Sequence, residues 1–274
     1  MKTNTCITYK IALDKLFSDL DRIRQINPVI HNLTNLVVMP ITANLLLALG
    51  ASPIMAHAKE ELTDILQISQ ALVTNIGTPD EKWLSAIKMA QNTALKLKIP
   101  IVLDPVGAGA SRYRTEAAKK ILERGVTLVR GNASEIMALV DPHIKTKGVD
   151  TTMHTSNTAL VAATTIAKKY HCIVVVSGKS DLIVNETQHV MLNYGTPLFT
   201  KVVGMGCSLT SIIASFLTVN PNSFIAAIHA MALFGLVGEL AIPLSIGPGS
   251  FYTNLLDKLY TVKQTELKSL ISQP

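Results

Sequence analysis

Cysteine is scarce in this chain. The 274 residues include three, Cys6, Cys172 and Cys207, in no paired or metal-like spacing. A disulfide-held secreted scaffold needs a denser, even set, and a structural zinc site needs closely spaced cysteine and histidine ligands. Both classes are excluded. The N-terminal MKTNTCITYKIALDKL also lacks the apolar region of a secretory signal peptide, so we expect a protein of the reducing cytoplasm.

Charged and aromatic residues are also few, at 16% and 5% of the chain. The net charge is +6, but lysine and arginine are scattered and no basic run exceeds two residues. A nucleic-acid-binding surface needs clustered basic residues, so we expect no nucleic-acid partner. The charge fits a solvated surface that favours anionic substrates. With 48% hydrophobic residues the chain can build a large core, which excludes disorder.

One long apolar run, residues 224–246, resembles a membrane span. His229, Glu239 and Pro243 interrupt it, and no basic flank precedes it. The sequence therefore favours a buried helix over a membrane helix, and we expect no membrane partner.

Apolar, β-branched segments alternate with helical ones along the chain. Strands are predicted at 29–31, 52–55, 71–76, 100–103, 127–129, 172–176, 182–184, 189–192 and 198–203, the seventh and eighth as a hairpin. Helices are predicted at 13–26, 40–49, 60–70, 80–98, 115–123, 133–140, 157–170, 207–219, 223–240 and 249–269, with a loop over 141–155. The alternation predicts an α/β fold with a central, mostly parallel β-sheet and helices on both faces. No repeat or linker divides it, so residues 1–274 form a single domain.

The stretch LFTKVVGMGCSLTSIIASFL, residues 198–217, joins an apolar run to an apolar helix through Gly204 and Gly206. Glycine allows positive φ and close approach of a ligand to the backbone. The first helical turn offers free N–H groups at a positive dipole end, so Gly204, Met205, Gly206 and Cys207 form a candidate anion hole. The chain lacks GxxxxGK[ST], which excludes a P-loop. Gly204-Met205-Gly206 does not continue to a third glycine, which argues against a dinucleotide fingerprint.

Ligands of open α/β sheets bind outside the carboxyl ends of the strands. The residues predicted there are Asn32, Asn35, Met55, Asn75, Asp104, Arg130, Asn132, Ser177 and Gly204. Asp104, followed by glycines, suits a Mg²⁺ or phosphate position, although it could instead cap the next turn. Arg130 can contact a phosphate through its planar guanidinium.

Glu135 has two competing interpretations. It follows Asn132 by three residues, which is the spacing of a capping box. It could also supply a carboxylate to a metal site. Taken alone, the spacing favours the cap.

Seven stretches together resemble the hydroxyethylthiazole kinase family. They are HNLTN (31–35), LLALGASPIMAHA (46–58), NIGT (75–78), LDPVGAGASRYR (103–114), RGNASEI (130–136), VGMGCSLTS (203–211) and GPGSF (247–251). The resemblance implies a ribokinase-like fold. It also implies ATP- and Mg²⁺-dependent phosphorylation of the primary alcohol of 4-methyl-5-(2-hydroxyethyl)thiazole, a thiamine salvage step. Members are typically homotrimers with the thiazole site between subunits.

The resemblance also implies roles for single residues. Met55, Gly204 and Asn35 would contact the thiazole; Arg130, Ser177 and Asn132 would contact ATP; Asp104 and Glu135 would arrange Mg²⁺. Cys207 would be catalytic, since it stands where sugar-kinase relatives carry an aspartate base. We expect the helix terminus to lower the pKa of its thiol. The sequence departs from the family pattern at Pro40, where asparagine is usual, and at Met205, where a small residue is usual.

Other functions remain open at this stage. They are a ribokinase-like kinase for another small alcohol, an ATP-dependent dehydratase of the same fold, a non-catalytic nucleotide-binding module and a cysteine-dependent acyl-transfer enzyme. The last needs a base beside Cys207, and the sequence marks neither His31 nor His57, the histidines nearest to strand ends, as that partner.

Overall fold

The computed structural model describes residues 5–6, 10–141 and 153–271. In that part of the chain nine strands form one sheet: β1 Thr5–Cys6, β2 Val29–Leu33, β3 Ser52–Ile54, β4 Ala71–Asn75, β5 Ile101–Asp104, β6 Leu128–Asn132, β7 Ile173–Ser177, β8 Asp181–Val184 and β9 Gln188–Leu192. Their order is β1-β9-β8-β7-β6-β5-β4-β2-β3. Only β8 runs antiparallel to its neighbours. The mostly parallel sheet is thus confirmed, and β8 and β9 form the predicted hairpin.

Helices cover both faces of this sheet. They are α1 Leu13–Ile26, α2 Met39–Leu49, α3 Leu62–Ile68, α4 Glu81–Leu97, α5 Arg112–Arg124, α6 Ala133–Val140, α7 Met153–Tyr170, α8 Met205–Val219, α9 Ser223–Ala241, α10 Pro248–Thr261 and α11 Gln264–Ile271. Consecutive strand residues face opposite sides. Val73 and Val102 therefore pack with α1, α2 and α8–α11, whereas Leu72 and Leu103 pack with α3–α7.

Helix α8 is buried between the sheet and other helices, although several of its residues are polar. Ser208 shares a hydrogen bond of 3.1 Å with Thr42 of α2. Ser211 donates to Oδ1 of Asn32 on β2 at 2.6 Å. Buried polar groups need such partners, and these bonds fix the helix over the ends of the strands.

The long apolar run of residues 224–246 forms most of helix α9. The segment Ser223–Leu244 has the length and composition of a membrane span, and 78% of its most apolar window is buried inside the protein. Its two polar interruptions are both used. His229 is hydrogen-bonded to Asp19 at 2.7 Å, and Glu239 accepts from the N–H of Gly195 at 2.7 Å. The buried-helix interpretation accounts for every one of these contacts.

The strand predicted at 198–203 is wrong. Residues Pro197–Lys201 form a 3₁₀ helix, because Pro197 fixes a helical φ and Thr196 accepts a hydrogen bond from the N–H of Leu198. The apolar side chains serve tertiary packing. Phe199 stacks on Phe234 at a centroid distance of 4.8 Å and meets Phe251 edge-on.

The helix predicted at 249–269 is two helices. Helix α10 ends at Thr261, because Val262 leaves the helical conformation. A second helix, α11, begins at Gln264, where Glu266 accepts a hydrogen bond from the N–H of Lys263 at 2.9 Å. Strand β1 was not predicted, because two residues carry no periodic signal. Residues 142–152 of the predicted loop lie outside the described residues, as does the side chain of Cys6, and α7 begins at Met153.

Candidate functional site

Four neighbouring strands end at one edge of the sheet with polar residues. Asn75 of β4 pairs in register with Asp104 of β5, and Asn132 of β6 pairs with Ser177 of β7. The N-terminus of α8 lies over this edge, since Thr210 reaches Asp104 at 2.9 Å. The structure therefore brings most of the predicted site residues together.

The turn into α8 has the geometry expected of an anion hole. Gly204 is the N-cap with φ +82°, and the first helical bond runs from the N–H of Ser208 to its carbonyl at 2.8 Å. The N–H groups of Met205, Gly206 and Cys207 therefore have no intrahelical acceptor. A Cβ at Gly204 would lie 3.0 Å from Val38. Both the backbone angle and the space thus require glycine there.

Arg130 brings a positive charge to this turn. Its Nη2 donates to Oγ of Ser177 at 2.6 Å, and Nη1 lies 4.0 Å from Oδ2 of Asp104. A Cβ at Gly206 would lie 2.7 Å from Nη1, so the guanidinium packs directly against the helix terminus. Its Nε is buried and has no hydrogen-bond partner in the described part of the chain. The group is held in place yet still has donors to offer an anion.

A cavity of about 790 Å³ opens beside Arg130. Its polar end is lined by Arg130, Asn132, Ser177 and Gly206, and Met205 forms part of its wall. The apolar lining comes from Leu209, Met231, Phe234 and Phe199, and further polar lining from Lys179, Asp181, Asn193 and Thr196. This volume falls within the range of small-molecule and cofactor sites. An apolar wall ending at free N–H groups and a guanidinium suits a ligand with a flat ring and an anionic tail.

Asp104 is the buried carboxylate of the site, with 1% of its surface exposed. Its Oδ2 accepts from Nδ2 of Asn75 at 3.0 Å and from Thr210. Its Oδ1 is buried and has no hydrogen-bond partner among the described residues. Burial raises the pKa of this carboxyl to about 6, against the opposing effect of Arg130. An unpaired oxygen of this kind is a fitting ligand for a cation.

Glu135 forms the predicted capping box. Its N–H donates to Oδ1 of Asn132, and its Oε2 accepts from the N–H of Asn132, both at 2.9 Å. Its Oε1 accepts from the N–H of Gly107 at 2.9 Å, which ties the loop after Asp104 to α6. The capping interpretation is confirmed. Within the described ranges no group of three or more His, Cys, Asp or Glu residues forms a metal cage, so a cation there would depend on a substrate for further ligands.

The expected lowering of the Cys207 pKa is wrong. Burial, reinforced by the negative charge of Asp104, raises the pKa of this thiol to about 12. The helix dipole acts on a side chain that is largely removed from water, and desolvation is the larger effect. Sγ receives a hydrogen bond from Nδ2 of Asn35 at 3.5 Å. Cys207 is therefore a neutral thiol held by an amide.

Met55 lies apart from the cavity, just beyond the edge strand β3, and is partly exposed. His31 of β2 holds the same loop through a 2.7 Å hydrogen bond between Nε2 and the carbonyl of Ala56. Burial lowers the pKa of His31, which keeps the ring neutral. His57 is exposed and packs on Trp83. These contacts give both histidines other roles than that of a base for Cys207.

Sequence reasoning missed two site residues and left a third without a role. Thr210 follows Cys207 by three residues, and its signal was a polar side chain in an otherwise apolar helix. Asp181 lines the cavity, and burial raises its pKa to about 6. Asn75 was predicted at a strand end but was given no function. Its contacts depend on the register of β4 and β5, which the sequence does not specify.

We expect Asp104→Asn to stabilise the empty protein near neutral pH. A carboxyl whose pKa rises on folding binds its proton more tightly in the native state. The free energy of unfolding therefore falls as the pH rises from about 4 to about 6, and it stays lower by the full amount above pH about 6. The variant should gain on the order of 1 kcal/mol, or about 2–4 °C in melting temperature. The gain should vanish below pH about 4. Asp257→Asn, at an exposed position of α10, is the control. Equal melting curves for wild type and Asp104→Asn at neutral pH would contradict the argument.

The chain resembles known proteins in sequence and in structure. The sequence profile of the hydroxyethylthiazole kinase family matches residues 20–265. A hydroxyethylthiazole kinase of Desulfotalea psychrophila is 44% identical over 251 residues, which cover 91% of this chain and 92% of that protein. The solved structure of the Pyrococcus horikoshii OT3 hydroxyethylthiazole kinase protein superposes with a TM-score of 0.86 at 36% identity, covering 93% and 96% of the two chains.

A more distant likeness concerns the fold alone. A ribokinase-like superfamily protein from Enterococcus faecalis V583 matches 92% of this chain and 91% of its own with a TM-score of 0.62 at 15% identity. The ribokinase-like fold predicted from the sequence is confirmed. The profile match and the close relatives show the same affiliation as the motifs: the chain belongs to the hydroxyethylthiazole kinase family.

Proposed function

We propose that this protein transfers the γ-phosphoryl group of ATP to the primary alcohol of 4-methyl-5-(2-hydroxyethyl)thiazole, a salvage step toward thiamine. The observation that carries the proposal is the turn Gly204–Cys207. It presents unpaired N–H groups between a guanidinium on one side and a thiol on the other. A phosphoryl group in transit needs such donors at its oxygens, with a donor site and an acceptor site flanking it.

ATP would occupy the cavity beside Arg130. Its phosphates would meet Arg130, Ser177 and Asn132 at the polar end, and its base would lie along the apolar wall. Arg130 would offset phosphate charge with donors that are already fixed by Ser177 and by packing against Gly206. Positioned charges contribute most of the rate in phosphoryl transfer, because little other chemistry is required of the protein.

Asp104 and Glu135 would hold Mg²⁺ with the phosphates of ATP. Asp104 fits this role through its buried, unpaired Oδ1, and the Glu135 carboxylate retains lone pairs beyond its two backbone hydrogen bonds. A Mg²⁺ ion held there would supply positive charge to offset the negative charge of the phosphates. In the empty protein Glu135 keeps the loop after Asp104 in place, which preserves the position of that carboxylate.

The alcohol would bind on the other side of the turn, near Asn35, Gly204 and Cys207, with Met55 as an apolar wall. Because its pKa is about 12, the Cys207 thiol cannot serve as a standing thiolate. We assign it instead to accept a hydrogen bond from the alcohol, held in line by Asn35. Alignment supplies much of the rate in such reactions, so a neutral thiol that orients the hydroxyl suffices without acting as a base.

Met55 also motivates the proposed homotrimer with shared sites. It follows an edge strand and is partly exposed, and Leu36 and Val37, in the loop before α2, are 63% and 60% exposed. Apolar side chains beside a binding site mark a surface that a second copy would cover. ATP and the small alcohol are the proposed ligands, and the cytoplasm is the proposed location.

Another small alcohol remains the second candidate, because the sequence departs from the family pattern at Pro40 and Met205. A dehydratase of the same fold would release inorganic phosphate rather than form a phosphomonoester. Phosphorus NMR of the products distinguishes these activities.

ADP release should require both the thiazole alcohol and a divalent cation. The reason is that Asp104 and Arg130, which lie 4.0 Å apart, are proposed to bind a metal-bound triphosphate, and Cys207 is proposed to bind the alcohol. A coupled ADP assay with and without the alcohol, and with excess chelator, makes the measurement. ADP production that is unchanged without the alcohol, or that persists in chelator, would show the proposal to be wrong.

Substitutions in the turn should rank by their damage to the N–H donors. Gly204→Val and Gly206→Val should be worst, since their side chains would strain φ +82° or strike Arg130. Cys207→Ala should lose less kcat than the roughly 10²–10⁴-fold typical of removing a general base, because the neutral thiol only accepts a hydrogen bond. Cys207→Asp should stay active, since it keeps the turn and adds a stronger acceptor. Measured kcat values decide the order. An inactive Cys207→Asp beside nearly normal glycine variants would return the thiol to the central role.

The active species should be a homotrimer. Light scattering at assay concentrations measures it directly. Val37→Asp, which places a charge on the exposed apolar loop, should shift the mass toward monomer and reduce activity together. Lys10→Asp, at an exposed position outside the regular elements, is the matched control and should change neither. A fully active monomer would sink the assignment.

A further inference from the structure

Asn75 occupies the centre of a buried chain of side chains. It is fully buried at the end of β4. Its Nδ2 donates to Oδ2 of Asp104 at 3.0 Å, and its Oδ1 accepts from Nδ2 of Asn35 at 3.0 Å. The same Nδ2 of Asn35 reaches Sγ of Cys207 at 3.5 Å. Direct contacts therefore connect the carboxylate of Asp104, on the proposed ATP side of the site, with the thiol of Cys207, on the proposed alcohol side.

The orientation of the Asn75 amide is fixed by a backbone group. Its Oδ1 also accepts from the N–H of Gly77 at 2.8 Å, and a backbone N–H can only donate. The other end must then be the donor, which faces the carboxylate of Asp104. The backbone carbonyl of Asn75 accepts from Nε1 of Trp83 at 3.2 Å, which anchors the residue from the opposite face of the sheet. Asn75 cannot rotate without losing several bonds.

We propose that Asn75 is a positioning residue that sets the placement of Asp104 relative to Asn35 and Cys207. This role rests on the proposed kinase function. Phosphoryl transfer requires the attacking oxygen and the phosphorus in line, and small misplacements of the reacting groups cost orders of magnitude in rate. Asn75 keeps the two sides in register while touching neither substrate.

Gln91 is a natural control for a purely structural role. It too is a fully buried amide, on helix α4. Its Nε2 donates to the carbonyl of Ile121 at 2.8 Å and to that of Gly125 at 2.9 Å. These bonds lead to α5 and its end, and not to Asp104, Cys207 or α8. The two amides therefore share burial and hydrogen bonding and differ in what they hold.

The first test compares Asn75→Ala with Gln91→Ala. Both should lower the melting temperature. Per folded protein, Asn75→Ala should lose about 10²-fold in kcat, with the KM for ATP within about 3-fold, because Asn75 does not line the nucleotide cavity. Gln91→Ala should keep kcat within about 3-fold. An equal loss of kcat in both folded variants would overturn the positioning role.

The second test is a double-variant cycle with Asn35→Ala. If the chain acts as a unit, the double variant should lose about as much kcat as the worse single variant, about 10²-fold. A loss equal to the product of the two single losses would overturn the coupling. The same cycle run on unfolding, followed by the fluorescence of the single tryptophan Trp83, does not depend on catalysis. If the wild-type protein shows no ADP release that depends on the thiazole alcohol, the kinase function is refuted. If the effects of Asn35→Ala and Asn75→Ala on the free energy of unfolding simply add, the link between Asn35 and Asn75 is refuted.

Discussion

The seat of α8 on the carboxyl ends of the strands is the constraint on which the site depends. A helix terminus binds an anion only if its N–H groups point at a fixed place. Here Thr210 bonds to Asp104, Ser211 to Asn32 and Ser208 to Thr42, all in the interior. Each bond would cost free energy if broken and left unpaired, so the helix cannot slide along the sheet. The proposed anion hole is therefore preorganised before any substrate arrives.

The electrostatics of the site follow from the same burial. Asp104 and Cys207 both have raised pKa values because water is excluded from them, and Arg130 is the positive group between them and the cavity. Nε of Arg130 and Oδ1 of Asp104 remain unpaired in the described part of the chain. Such atoms reduce stability in the empty protein. An anion and a cation bound together would satisfy both, which explains why a charged ligand suits so apolar an interior.

Much of this arrangement could be predicted from the sequence, because it rests on local patterns. Strand and helix alternation predicted the sheet, the glycines predicted the turn at Gly204, and the spacing of Asn132 and Glu135 predicted the capping box. The strand predicted at 198–203 was wrong because a short apolar run occurs both in strands and in a packed 3₁₀ helix. The predicted lowering of the Cys207 pKa was wrong because this pKa depends on burial in the folded protein, and burial opposes the effect of the helix dipole. The role of Asn75 depends on the register between strands, which no local pattern encodes.

The strand order places the residues proposed for the two substrates on different parts of the sheet. The residues assigned to ATP stand on β6 and β7, and those assigned to the alcohol follow β2 and the edge strand β3. Strands β4 and β5 lie between them and end in Asn75 and Asp104. A parallel sheet brings all these ends to one edge, so the two substrates can approach from opposite sides of a fixed middle. The turn of α8 lies over that middle, where the phosphoryl group would have to cross. Function in this chain is thus a consequence of which strands are neighbours, and the buried asparagine at the centre is what makes the two halves one site.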